Sequence, residues 1–134
     1  MGRQKLSVIV PCYNEEKTLR IIVEKILEAD VLGLDLEVLI IDDASRDRSL
    51  EISEKLIREH DNVKLIQHQL NQGKGAAIAN GIGLAKGDIF LIQDADLEYD
   101  PSEYPDLLKP ILDGYADVVY GSRFSGGKSH RVLY

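Results

Sequence analysis

Only one cysteine, Cys12, occurs in the 134 residues, so no internal disulfide can form. That excludes a disulfide-framed secreted scaffold and fits a reducing compartment. As a lone thiol Cys12 is either a nucleophile or, the commoner case, a small apolar filler beside a strand end. Long hydrophobic runs are also missing. No apolar stretch approaches the roughly 20 residues a membrane-spanning helix needs. The N-terminus runs from Met1 to Lys5 straight into a few apolar residues, without the extended apolar region and small-residue cleavage site of a signal peptide. The expected location is therefore cytoplasmic. A basic surplus is absent as well: the formal net charge is −7. Nonspecific nucleic-acid binding relies on basic patches, so nucleic acid is not an expected partner. An acidic protein can still take an anionic ligand if a cation sits between them. Internal repeats, low-complexity segments and linkers are not seen.

What is present is an ordinary globular composition, 44% hydrophobic and 29% charged, at a length that suggests one domain, residues 1–134. Short apolar runs at 6–10, 36–41, 63–66, 88–93 and 118–120 read as strands. Between them the spacing changes to that of helices. Leu19, Ile22, Val23, Ile26 and Leu27 form one face over 15–29, with Asn14 as the expected cap and Glu15 and Glu16 in the first turn. Ser45 is the expected cap of a second helix carried by Leu50, Leu56 and Ile57. Ser102 is that of a fourth carried by Leu107, Leu108, Ile111 and Leu112. The third helix, from about Gly73 to Ala85, is rich in Ala and Gly, which lets a helix backbone approach a sheet closely.

Alternating strands and helices predict an α/β fold, Rossmann-like, with a mostly parallel sheet covered on both faces. After the fifth strand the chain turns Gly-, Ser- and Lys-rich, and no further full element is expected before Tyr134, as in a truncated domain. Ligands in such sheets sit at the carboxyl ends of the strands, near the switch in strand order.

Polar residues gather at those ends: Pro11 to Glu15 after the first strand, Asp42-Asp43-Ala44-Ser45 after the second, Asp94-Ala95-Asp96-Leu97-Glu98 after the fourth and Gly121-Ser122-Arg123 after the fifth. One shared pocket accounts for all four. In Asp94-Ala95-Asp96, two carboxylates two positions apart at a strand end can converge on one hard cation; Mg²⁺ and Mn²⁺ often bind through one or two carboxylates plus substrate phosphates. The plainer alternative is a solvated acidic turn. Asp42 and Asp43 either bond a nucleotide's base or ribose or shape the turn before Ser45; one of the two is expected to face a ligand. Tyr13 could stack on a base and Glu15 reach the ribose, although both also read as ordinary helix-entry residues. Asn71-Gln72-Gly73-Lys74-Gly75 lacks the spacing of a Walker loop and reads as a tight turn into the third helix, with Lys74 near a phosphate as the lesser alternative. Arg123 could fork onto a phosphate or make a surface ion pair. His60, His68 and His130 show no ligand spacing.

Taken together, 8–15, 40–45, 73–76, 87–88, 94–97 and 121–124 resemble the family 2 glycosyltransferases of GT-A fold, in the branch around dolichol-phosphate mannosyltransferase and the polyprenyl-phosphate sugar transferases. The resemblance implies that Pro11, Tyr13 and Glu15 line a nucleotide-sugar pocket, with Ile41 and Asp43 against the base. It places Asp94 and Ala95 by the diphosphate, and gives Asp96 and Glu98, with Asp94, to Mg²⁺ or Mn²⁺. Arg123 would bind phosphate, and Arg131 could do likewise. The implied reaction moves a hexose, with inversion, from a UDP- or GDP-linked sugar to a polyprenyl phosphate at the cytoplasmic face of a membrane. The alternatives are a saccharide acceptor or a donor half that binds nucleotide without turnover. Such enzymes usually continue for about another hundred residues, in line with domain sizes. Two rivals fail on order. A sugar-nucleotide-forming nucleotidyltransferase needs a glycine-rich basic loop where Pro11 to Glu15 stand. A phospho-accepting receiver domain has its acid pair after the first strand, not the second.

Overall fold

The structure, a computed structural model, describes residues 4–97, 100–114, 119–120 and 131–133, the last two segments by their backbone. Strands β1 (Lys5–Cys12), β2 (Asp35–Asp42), β3 (Val63–Gln67) and β4 (Ile89–Ile92) alternate with helices α1 (Leu19–Glu28), α2 (Ser49–Glu59) and α3 (Lys74–Leu84). A 3₁₀ turn (Pro101–Glu103) leads into α4 (Tyr104–Leu112), followed by β5 (Val119–Tyr120) and β6 (Arg131–Leu133). The sheet order is β3-β2-β1-β4-β6-β5. β3, β2, β1 and β4 are parallel, while β6 runs antiparallel between β4 and β5. The expected α/β architecture is therefore present, with one correction: a short sixth strand follows the Gly-rich stretch. Three residues carry too little periodicity to be read beforehand.

The period of two along β1 divides the core. Leu6, Val8, Val10 and Cys12 face the α1, α2 and α4 side, whereas Ile9 joins Leu39, Ile41 and Ala77 on the α3 side. α1 buries Leu19, Ile22, Val23 and Ile26, the predicted face. α2 differs from expectation. Its buried positions are Ser49, Ser53 and Leu56, while Ile57 is exposed. Ser53 can be buried because its hydroxyl donates back to the Ser49 carbonyl at 2.9 Å, which removes the cost of an unpaired polar group. α3 lies close to the sheet, as its small residues predict. A β-carbon on Gly81 would stand 2.7 Å from Ile9 Cγ2 and 3.2 Å from Ile41 Cδ1.

The expected caps are not used as caps. α1 starts at Leu19, with Thr18 ahead of it and no side-chain cap bond. Asn14 instead takes a left-handed conformation (φ 55°), and its Oδ1 accepts from Arg46 N–H at 2.8 Å. Ser45 Oγ accepts from Asn14 N–H, and α2 begins four residues later. Asp100, not Ser102, caps the 3₁₀ turn by accepting from the Ser102 N–H. These side chains join loops across the strand ends, a long-range use that local pattern does not reveal.

The chain turns back on itself between β3 and β4, so β4 lies on the opposite side of β1 from β2 and β3. That is the switch point at which an open α/β sheet leaves a crevice beyond its strand ends. Among the described residues no helix is long and apolar enough to cross a membrane.

Candidate functional site

A cleft of about 260 Å³ opens at that switch point. Pro11, Tyr13 and Glu15 line it from the end of β1 and Asp43 from the end of β2. Asp94, Ala95 and Asp96 line it from the end of β4. The opposite wall is Asn71, Gly73, Lys74 and Ala77, the entry and first turn of α3.

The loops after β1 and β2 are fastened together. Glu15 N–H donates to Ser49 Oγ at 2.8 Å, Glu16 N–H to Asp47 Oδ2 at 3.1 Å, and Asp43 N–H to the Cys12 carbonyl at 2.9 Å. Tyr13 is left 44% exposed at the cleft. Cys12 is the filler, not the nucleophile. It is buried, and burial pushes its thiol up to about 12, aided by the nearby Asp42 charge and against the hydrogen bond from Ser49.

Asp43 faces the cleft and Asp42 does not. Asp42 lies on the other side of the strand, where Oδ2 accepts from the Ser45 N–H at 3.2 Å and Oδ1 has no partner among the described residues. Asp43 is 4% exposed and heavily bonded: Gln72 N–H at 2.8 Å and His68 Nδ1 at 2.9 Å meet Oδ1, and Gly73 N–H at 2.9 Å meets Oδ2. Burial pushes the Asp43 carboxyl up, but these donors outweigh it and hold the group below the ordinary carboxylate range. A depressed folded value means stability that is complete above the unfolded value, near 3.8, and lost as pH falls through the lower folded value. Asp43→Asn should therefore be less stable than the parent at pH 7, by roughly 2 kcal/mol, with the gap narrowing toward pH 3. Urea midpoints across that range check this; a gap independent of pH contradicts it.

The loop after β4 is pinned through its backbone. Gln93 N–H donates to the Ile9 carbonyl at 2.9 Å, and Gln93 Nε2 donates to the Asp94 carbonyl at 3.3 Å. The buried Tyr104 hydroxyl donates to Gln93 Oε1 at 2.6 Å. Thr18 Oγ1 donates to the Ala95 carbonyl. Ala95 is buried, so the residues on either side of it turn outward, Asp94 half-buried and Asp96 exposed. Lys74, the first residue of α3, forms an ion pair with Asp94 across the cleft. Two carboxylates on one loop beside an open cleft are a donor set that suits a hard divalent cation completed by phosphate oxygens. Among the described residues no group of three or more His, Cys, Asp and Glu gathers as a self-sufficient metal centre.

Of the predicted site residues, the structure brings Pro11, Tyr13, Glu15, Asp43, Asp94, Ala95 and Asp96 to one cleft. Ile41 is placed elsewhere: it is fully buried between the sheet and α3, against the position of Gly81, and its side chain does not line the cleft. Glu98, Arg123 and the side chain of Arg131 lie outside the described residues. The sequence reading missed Asn71 and Ala77 as cleft residues. The 71–75 segment is indeed a turn into a closely packed helix, with Gly73 at φ 95°, and it is also a wall of the site.

The sequence pattern of the family described as "Glycosyl transferase family 2" matches residues 7–132. A similar curated protein is "Dolichol-phosphate mannosyltransferase" of Pyrococcus furiosus, 38% identical over 125 residues, which cover 92% of this chain and 35% of that one. The chain thus spans about a third of that relative's length. Among solved structures, S. aureus TarS 1-349 in complex with UDP superposes with a TM-score of 0.73 at 31% identity, over 85% of this chain and 34% of that one. The mannosyltransferase PcManGT from Pyrobaculum calidifontis, in complex with GDP-Man and Mn²⁺, does so with a TM-score of 0.64 at 31% identity, over 72% of this chain and 28% of that one.

Proposed function

Because the chain belongs to glycosyl transferase family 2 and has its GT-A architecture, we propose that it is the donor-binding part of an enzyme that moves a hexose from a UDP- or GDP-linked sugar to a polyprenyl phosphate at the cytoplasmic face of a membrane. The observation that carries this is the meeting of Tyr13, Asp43, Asp94 and Asp96 in one cleft at the ends of three different strands. The P. furiosus relative bears the name of a dolichol-phosphate transferase, and the two structural neighbours hold UDP and GDP-Man.

Each wall has a task in this reading. Tyr13 stacks on the nucleobase, and Asp43, an acceptor, takes an N–H from the base edge. Glu15 reaches the ribose. Asp94 and Asp96, with Glu98 on the strength of the resemblance, hold Mg²⁺ or Mn²⁺, which supplies positive charge to the departing diphosphate. Lys74 meets Asp94 from the opposite wall and can pass from the carboxylate to a phosphate oxygen. Arg123, again on the resemblance, contributes a phosphate contact. An oxygen of the acceptor phosphate attacks the anomeric carbon from the face opposite the diphosphate. The carbon–oxygen bond to the diphosphate breaks, the electron pair leaves with it, and the configuration inverts. A lipid phosphate is ionised at neutral pH, so no base is required; positioning and charge stabilisation are the catalytic contributions asked of the protein.

The test is a transfer assay on the full-length protein, with UDP- and GDP-hexoses against a polyprenyl phosphate and, separately, a saccharide. Labelled sugar should appear on the lipid phosphate. Transfer only to the saccharide replaces the acceptor. Nucleotide binding without transfer to either one makes this a binding unit.

A further inference from the structure

We infer that His68 is a positioning residue of the donor site: fixed by Asn80, its imidazole orients the Asp43 carboxylate so that one oxygen lone pair is left for the nucleobase. The inference rests on the nucleotide reading above.

His68 follows β3 directly. Its backbone N–H donates to the Asp42 carbonyl at 2.8 Å, continuing the sheet bonding by one residue past Gln67 and bringing its ring beside Asp43. The ring is 6% exposed and does not line the cleft, so it acts on a ligand only through another group. Both its nitrogens are engaged. Nδ1 lies 2.9 Å from Asp43 Oδ1, and Nε2 lies 2.7 Å from Asn80 Nδ2. An ionised carboxylate can only accept, so the ring nitrogen facing Asp43, Nδ1, carries the proton and donates it, and Nε2 is left to accept from the Asn80 amide. Asn80 reaches the ring because α3 lies close to the sheet at the next residue, Gly81, where a β-carbon would collide with Ile9.

Consider what this does to Asp43. An ionised carboxylate offers about four acceptor directions. Three are filled: two on Oδ1, by Gln72 N–H and His68, and one on Oδ2, by Gly73 N–H. The remaining direction belongs to Oδ2, on a residue that lines the cleft. Without His68 only the Gln72 and Gly73 N–H groups hold the carboxylate, and Oδ1 gains an open acceptor direction that competes with the one on Oδ2. With it, a single acceptor is presented in a fixed direction.

The experiment uses the full-length protein with Mn²⁺ and measures binding of UDP, GDP and inorganic pyrophosphate by titration calorimetry. His68→Ala should weaken the nucleotide that the parent binds by about tenfold, the loss of one oriented hydrogen bond, and leave pyrophosphate binding unchanged. A role in folding alone would not separate base from diphosphate. His68→Asn, whose amide can donate from nearly the same place as Nδ1, should restore most of the affinity. In an Asp43→Asn background, His68→Ala should add nothing. In transfer, KM for the donor should rise while kcat holds. Unchanged nucleotide affinity in His68→Ala, equal losses for nucleotide and pyrophosphate, or additivity with Asp43→Asn overturns the inference. If Asp43→Asn weakens nucleotide and His68→Ala does not, the inference fails and the nucleotide reading stands. A parent that binds neither nucleotide ends both. Should His68→Ala fold poorly, ¹⁵N NMR of the parent decides between the two tautomers: the His68 signal, assigned by its loss in His68→Asn, should show the proton on Nδ1, and a proton on Nε2 overturns the inference.

Discussion

Asp96→Ala in the full-length protein should lower sugar transfer about a thousandfold, with little change in stability. Removing one preorganised charge-stabilising group from a reaction that expels an anion typically costs 10²–10³ in rate. Here the loss also takes one of the two described carboxylates available to hold the cation that makes an acidic cleft hospitable to diphosphate. The side chain is exposed at the loop surface, so its truncation leaves no cavity, and the effect on folding should stay within ~0.5 kcal/mol. Initial rates at saturating donor and Mn²⁺, beside urea midpoints for both proteins, separate the two quantities. Undiminished transfer removes Asp96 from the mechanism.

The largest effect on stability is expected at the other end of the sheet. Gly87 packs on the start of β1, where a β-carbon would stand 2.8 Å from Ser7 N and 2.9 Å from the Lys5 carbonyl. Both are backbone atoms of a central strand and cannot rotate away. The glycine also belongs to a buried polar cluster. Its N–H donates to Ser7 Oγ at 2.8 Å, Ser7 Oγ donates to Glu37 Oε2 at 2.6 Å, and Lys86 N–H donates to the same oxygen at 2.7 Å. Burial pushes the Glu37 carboxyl up, but the Ser7 hydroxyl, the Lys86 N–H and the charges of Lys5 and Lys64 hold it below its ordinary range. Gly87→Ala must either push β4 off β1 or open this cluster. Overpacking alone costs about 1–3 kcal/mol, and loosened bonds to a buried carboxylate add to it, so a loss of about 3 kcal/mol or more is expected. A urea midpoint within error of the parent would show that the two strands can part without loss.

Which parts of the fold and site were readable beforehand follows from where the information lies. The ends of β1, β2 and β4 were legible because each is an apolar run followed at once by polar residues, and the parallel topology sends all three ends to one edge. Asp43 could be narrowed only to a pair, since alternation along β2 sends Asp42 and Asp43 to opposite sides and the phase is set by packing. The inner face of α2 was misread because Ser49 and Ser53 are buried polar residues paired locally, while Ile57 is an exposed apolar one. Asn14 and Ser45 looked like caps because cap residues and loop-joining residues are the same types; only the fold shows that they bond to each other's loops. His68 was passed over as a lone histidine. One clue did exist: it follows β3 immediately, so a parallel sheet brings it to the edge that holds Asp43.

The central claim is that a negatively charged cleft takes a nucleoside diphosphate through a divalent ion held at Asp94 and Asp96. Titration calorimetry with UDP and with GDP, in Mn²⁺ and again in EDTA, tests it most directly. At least one nucleotide should bind in Mn²⁺, lose at least about tenfold in affinity in EDTA, and show the same weakened affinity with Asp96→Ala in either buffer. Equal affinity with and without the metal, or a variant that still responds to Mn²⁺ as the parent does, would contradict the account.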